Sequence, residues 1–242
     1  MLRIFFFTLT GLLSLSISAQ TKIGEKKYSQ DAVIDAKYGI TMYKNLNMML
    51  GSDTVRNING YAVNGFVKDF YITGELLHKG FYLEGQLKSY RNLFPSGVVE
   101  RNFRTIDTKK SKMDIYYKDG TLKSKITYIN SDAQSWEDYY PNGTLEFIEV
   151  YDKDIQHYIE KANYFEDGSP ENTLVLENKK KLIYTQTYFH ANGEVKKVGQ
   201  MKYLKTEFDY QNIGTWIEFD DAGKAIKEIK YASGAIQSET AL

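Results

Sequence analysis

Large apolar side chains return along this chain in step with glycines. Phe70, Leu93, Tyr116, Tyr139, Tyr164, Phe189 and Phe219 each stand four residues before a glycine. Those glycines, Gly74, Gly97, Gly120 and Gly143, are 23 residues apart, and Gly168, Gly193 and Gly223 follow at 25, 25 and 30. Two residues after each comes Leu76, Val99, Leu122, Leu145, Pro170, Val195 or Ala225. Seven matches in one phase mark an internal repeat. Between the glycines run segments such as 135–140, 145–151, 182–189 and 215–219, rich in Tyr, Ile, Val and Thr and partly alternating with charge. Such runs predict strands, and the period accommodates two strands of about seven residues with a turn at each end.

The turn residues specify the hairpin. In Tyr140, Pro141, Asn142, Gly143, Thr144 the proline suits the first corner of a type I turn, and the glycine takes the left-handed position. A three-residue loop with a G1 bulge follows. Phe94, Pro95, Ser96, Gly97 repeats the arrangement, and Lys118, Asp119, Gly120 is compatible with it. This register pairs Tyr139 with Leu145, Phe70 with Leu76, Leu93 with Val99 and Tyr116 with Leu122. Each pair contributes about 0.2 to 1 kcal/mol beyond Ala pairs. Continuing the count puts Trp136, Tyr140 and Ile148 on one face, opposite Tyr139, Leu145 and Phe147. The expected fold is all-β, an elongated antiparallel meander of tandem β-hairpins, some fourteen strands spanning roughly 65 Å.

The phrase Gly214, Thr215, Trp216, Ile217, Glu218, Phe219, Asp220, Asp221, Ala222, Gly223, Lys224 resembles a MORN-type repeat in its bacterial variant form. Gly65, Phe66, Phe70, Gly74, Glu75, Leu76 is similar, as are Tyr117 to Leu122 and Tyr140 to Leu145. The resemblance runs from about Gly60 to Ile236. It implies a twisted sheet of β-hairpins serving as an interaction scaffold, and some bacterial relatives are described as antitoxins. Pro170 departs from the usual aliphatic residue, and Glu177 to Lys181 reads as an insertion or long turn.

Ahead of the array, Arg3, the apolar block Ile4 to Leu13 and the small and polar residues up to Ala19 have the form of a secretory leader, residues 1–19. The block is well short of the roughly 20 residues a bilayer span needs, and no later segment is long enough either. Residues 20–59 lack the repeat and are expected to cap the array, which occupies 60–242. Within the cap, Thr41 to Leu50 fits a short amphipathic helix and an extra edge strand equally well.

With 31 Lys and Arg against 31 Asp and Glu, the chain has no net basic character, which argues against a nucleic-acid partner. The absence of Cys excludes disulfides, thiolate metal sites, cysteine nucleophiles and a lipidated cysteine anchor. His78, His157 and His190 fall in three different units without the three- or four-residue spacing of a helical metal pair. His190 occupies a turn position where other units have Tyr or Phe, and reads as a variable loop residue. The sequence contains no glycine-flanked serine elbow and no phosphate-binding glycine loop. Adjacent carboxylates, Glu137 with Asp138 and Asp220 with Asp221, point to opposite faces of a strand. Lys109, Lys110, Lys112 and Lys179 to Lys181 read as solvated loops.

The expectation is therefore a non-enzymatic, exported scaffold without cofactor or metal, located in the periplasm, at the cell surface or outside the cell. Its partner is expected to be a protein bound by Trp136, Tyr140 and Ile148, with association to the cell envelope as a further consequence of export. The alternatives are a protein that binds or hydrolyses cell-envelope glycans, or an antitoxin or immunity-type protein.

Overall fold

The computed structural model describes residues 25–41 and 56–242. The expected leader, and the element expected at Thr41 to Leu50 apart from Thr41 itself, lie outside the described residues. One open sheet of 16 strands dominates, its strands adjacent in chain order. Seven hairpins form it: Gly65–Tyr71 with Leu76–Leu83, Gln86–Leu93 with Val99–Thr105, Lys110–Tyr116 with Leu122–Ile129, Asp132–Tyr139 with Leu145–Tyr151, Tyr158–Tyr164 with Pro170–Asn178, Ile183–Phe189 with Val195–Leu204, and Asp209–Phe219 with Ala225–Ala232. A final strand, Ala235–Ala241, continues the meander. The other edge departs from the expected antiparallel pattern, because Lys27–Tyr28 runs parallel beside Phe70 and Tyr71. Phe70 N–H reaches Lys26 O at 2.9 Å and Ile72 N–H reaches Tyr28 O at 2.9 Å, so part of that edge's hydrogen-bonding capacity is satisfied.

All seven glycine turns share the expected geometry. At the fourth, Gly143 N–H donates to Tyr140 O at 2.8 Å while Tyr140 N–H donates to Thr144 O at 2.9 Å. Gly143 has φ +86°, which a side chain with a β-carbon rarely adopts. Asp119, Asn142, Asp167 and Asn192, each just before its glycine, accept the N–H just after it at 2.8 to 3.1 Å. In the last turn Ala222 stands there, and Asp220 accepts Lys224 N–H at 2.8 Å instead.

The facing pairs at the turns are as expected: Phe70 with Leu76, Leu93 with Val99, Tyr116 with Leu122 and Tyr139 with Leu145. Beyond them the register differs. Asp138 faces Phe147, because Glu146 is an extra residue on its strand. Trp136 therefore shares a face with Asp138, Phe147 and Glu149, whereas Ile148 lies opposite Glu137 on the other face. The expected grouping of Trp136 with Ile148 is corrected by that single bulged residue, since one residue of slip inverts every side chain after it. The same shift recurs in all seven hairpins.

Counted with the bulge, each position of the repeat forms a straight row across the sheet. Val67, Gly80, Tyr90, Phe103, Met113, Ile126 and Trp136 are successive cross-strand neighbours. In the first three hairpins this face is covered. Val63 and Ile58 pack on Val67, Tyr82, Leu87, Tyr90 and Phe103, while Val33 and Ile40 pack on Tyr71, Leu77 and Phe94. Burying a side chain of that size contributes about 1.5 to 3 kcal/mol. In the later hairpins a smaller cluster, Leu174, Leu182, Tyr184 and Tyr203, gathers near the opposite ends of the strands. The run Glu177 to Lys181 ends a strand and enters the turn at residues 179–182, consistent with the long turn expected there.

Candidate functional site

The three residues singled out from the sequence occupy separate places. Trp136 is half-buried, its Nε1–H donating to Asp138 Oδ1 at 2.7 Å, and Ser124 Oγ donates to the same oxygen at 2.5 Å. Tyr140 lies in the turn, its hydroxyl donating to Tyr164 O at 2.9 Å. Ile148 sits on the opposite face from Trp136, between Glu137 and Ala162.

Tyr140 belongs to a ladder that joins successive hairpins. In four of the seven turns the residue three before the glycine reaches the carbonyl four before the next turn glycine. Tyr71 donates to Leu93 O at 2.8 Å, Tyr117 to Tyr139 O at 2.6 Å, and His190 Nε2 lies 3.1 Å from Phe219 O. A carbonyl can only accept, so His190 carries its proton on Nε2 and takes the part a tyrosine plays elsewhere. The reading of His190 as a variable loop residue is thereby refined: the turn varies, but the bond is kept. Phe94 and Phe165 hold the same position without a hydroxyl. Asn142 Nδ2 and Asn192 Nδ2 add struts to Glu166 O at 2.9 Å and Asp221 O at 2.7 Å. Burial, reinforced by nearby carboxylates including Glu146, raises the Tyr117 and Tyr140 hydroxyls above the usual phenol range. Both stay protonated donors at neutral pH.

Over the fifth to seventh hairpins, the face that carries Trp136 opens into a groove of about 720 Å³. Asn172, Tyr188, Lys197 and Glu218 cross its floor as consecutive neighbours, and Trp216 and His190 contribute to its walls. Lys197 Nζ lies 3.0 Å from Glu218 Oε1 and 5.5 Å from the centre of the Trp216 ring. Trp216 is 2% exposed and donates from Nε1 to Gln200 O at 3.1 Å. Its ring occupies the space a side chain on Gly199 would need, since a β-carbon there would come within 2.1 Å of it. Tyr188, 41% exposed, is the groove's accessible aromatic ring. The arrangement offers an apolar anchor beside a compensated charge pair and amide groups, a set suited to recognition. Among the described residues no cluster of three or more potential metal ligands is present.

The row that floors the groove begins in the first hairpins as a buried polar line: Asp69, His78, Asn92 and Arg101. The first three are fully buried and Arg101 is 5% exposed. Arg56 binds Asp69 through both nitrogens at 3.0 and 2.5 Å, and Lys26 N–H adds a third bond at 3.1 Å. His78 Nδ1 lies 2.9 Å from Asn92 Oδ1, with Nε2 3.5 Å from the Tyr82 hydroxyl. Burial pushes the His78 imidazole down to about 4. Beside this line Glu100, the bulged residue of its hairpin, lies under the covering segment, and its burial raises its carboxyl above the usual range. Gly39 is packed against Glu100 so closely that a β-carbon there would lie 2.8 Å from Oε1. The signal for this line was present in the sequence, because its members all stand five before or four after a turn glycine. Reading it requires the bulge to be counted.

Comparison with known proteins supplies one family match. A model described as "MORN repeat variant" matches residues 115–130 and 135–153, most of the third and fourth hairpins. A MORN repeat variant is thus detected over two of the seven hairpins. No curated protein matches the chain. Among solved structures, TarM is similar over 52% of this chain and 19% of that one, at 13% identity and a TM-score of 0.22. A TcdB2-TccC3-TEV structure is similar over 77% and 14%, at 8% identity and a TM-score of 0.20. The chain thus spans less than a fifth of either, and these scores carry no argument about function.

Proposed function

We propose that the protein is an exported, non-enzymatic scaffold that binds another protein on the face carrying Trp136 and the groove. MORN repeats are in general protein- or membrane-binding motifs. The observation that carries the reading is the groove itself, with Tyr188 exposed beside the Lys197–Glu218 pair on a sheet whose turns are tied together by side-chain bonds. Such a surface loses little freedom on binding, which favours affinity from a few anchors. Trp136 is an anchor toward the middle of this face, while Tyr140 stiffens its edge and Ile148 serves the opposite face.

Cross-linking in the native cell, followed by affinity capture, tests this. A protein should be recovered with the wild type and lost with Tyr188→Ala, at unchanged melting temperature. Recovery unaffected by Tyr188→Ala and Trp136→Ala would exclude this face. The export part is tested separately by amino-terminal sequencing of the cellular protein, which should begin at Gln20; an intact Met1 in the cytoplasm sinks it.

A further inference from the structure

The opposite face of the first three hairpins has a different character. Lys68, Lys79 and Arg91 are consecutive cross-strand neighbours, and Arg104 and Lys112 are neighbours in the adjacent row. Lys125 extends the first row beyond Asn102 and Asp114. Lys68, Lys79, Arg91, Arg104 and Lys125 are exposed and Lys112 is half-buried. The opposing charges in these rows are Asp114 and Glu137, the latter 3.4 Å from Lys125. Charge is segregated along the chain as well: residues 56–130 carry 13 Lys and Arg against 7 Asp and Glu, whereas residues 131–178 carry 2 against 12. Neutrality overall conceals a basic face.

Six strands at about 4.8 Å spacing spread these cations over roughly 24 Å, in a band perpendicular to the strands. Within it Arg91, Asn102, Tyr116, Val98 and Val99 line a recess of about 360 Å³. Ser89, Asn102 and Thr127 interleave hydroxyl and amide groups with the charges. We propose that this face binds a linear anionic polysaccharide lying across the strands, with one sugar in the Arg91 recess.

The chemistry favours that occupant over other polyanions. Alternating cations and short polar side chains match a polymer that alternates carboxylate or sulfate with hydroxyl groups. A single-stranded nucleic acid calls for free aromatic faces on which bases stack. On this face Phe66, 64% exposed, packs tilted against Phe81 at 5.1 Å with Lys79 lying 5.1 Å over it, and Phe70 and Phe81 are half-buried, so the face presents one exposed ring where a stacked strand would need a series. Strand addition by an acidic peptide is closed along five of these six strands, which are paired on both sides, and on the first, Gly65–Tyr71, the positions of Phe70 and Tyr71 are taken by Lys27–Tyr28. The inference stands apart from the protein-binding groove, which lies on the other face and at the other end of the array.

The test is calorimetric titration of the full chain with polygalacturonate and heparin oligosaccharides, with dextran as the neutral comparator and oligo-dT and phosphatidylglycerol vesicles as rival polyanions. Both acidic glycans should bind and dextran should not. Arg91→Glu with Arg104→Glu should weaken glycan binding at least about tenfold. Lys202→Glu with Lys230→Glu reverses the same number of charges far along the array and should change it less than about threefold. Circular dichroism should show both double variants folded. Absence of glycan binding, equal losses in the two double variants, or tighter binding of oligo-dT or vesicles would overturn the proposal.

Discussion

The first three hairpins and the last four share one repeat, yet they are held together differently. In the first three, residues 25–41 and 56–63 lie over one face and bury Val67, Tyr82, Tyr90 and Phe103 beneath Val63 and Ile58. The polar row crosses this layer, so Asp69 and His78 are sealed from water and need partners, which Arg56 and the Asn92 side-chain oxygen supply. In the last four the same row is open, and Asn172, Tyr188, Lys197 and Glu218 meet solvent in the groove. There stability rests on the tyrosine cluster, on Trp216 filling the space above Gly199, and on the turn ladder. A repeat fixes the strands and turns; what covers a face decides whether a given position becomes core or binding surface.

That contrast can be broken first at its largest side chain. Trp216→Ala should lower stability by about 3 to 5 kcal/mol in urea titrations, because no second layer can collapse into the void. If it costs under about 1 kcal/mol, the open half does not depend on this packing. Gly199→Ala attacks the same contact from below and should cost about 1 to 3 kcal/mol by overpacking.

The covered half should instead be sensitive to pH through His78. Its folded value is depressed, so the unfolded chain binds the extra proton. The stabilisation is complete above about pH 6.5 and is lost as pH falls towards 4. The difference is of order 3 kcal/mol for a group so deeply buried. Glu100, raised by burial, works in the opposite sense, and His78→Gln isolates the histidine. Urea midpoints measured from pH 7 to 4 should fall less steeply for His78→Gln than for the wild type; parallel slopes would rule out His78 as the source.

Two smaller effects should ignore the contrast. Gly97→Val in the covered half and Gly143→Val in the open half should each cost about 1 to 2 kcal/mol, since both glycines have φ near +85° and open space around them. Unequal thermal shifts would show that the strain is not local. Tyr140→Phe should cost about 0.5 to 1.5 kcal/mol through its lost bond to Tyr164 O, and Phe165→Tyr should recover part of that by supplying the missing rung. No change in either melting temperature would remove the ladder from the account.

Turn glycines, the Asp or Asn that precedes four of the seven, and the pair that closes each hairpin were legible in the sequence, because they obey local rules for positive φ and for two-residue alternation. The faces beyond each turn were misread at Trp136 and Ile148. A bulge adds one residue, Glu146, without a sequence mark of its own, and alternation amplifies that single count into an inversion. The ladder was half visible as Tyr or Phe in five of the seven turns, although its acceptors are carbonyls 22 to 29 residues away. Local chemistry thus determined the repeat, the strands and the turn type. Only the tertiary structure decided that Asp69 and His78 are core while Lys197 and Glu218 line a groove, and that Lys79, Arg91 and Arg104 share a face. Burial and the pooling of charge depend on which distant segment lies above a residue, and no local rule contains that information.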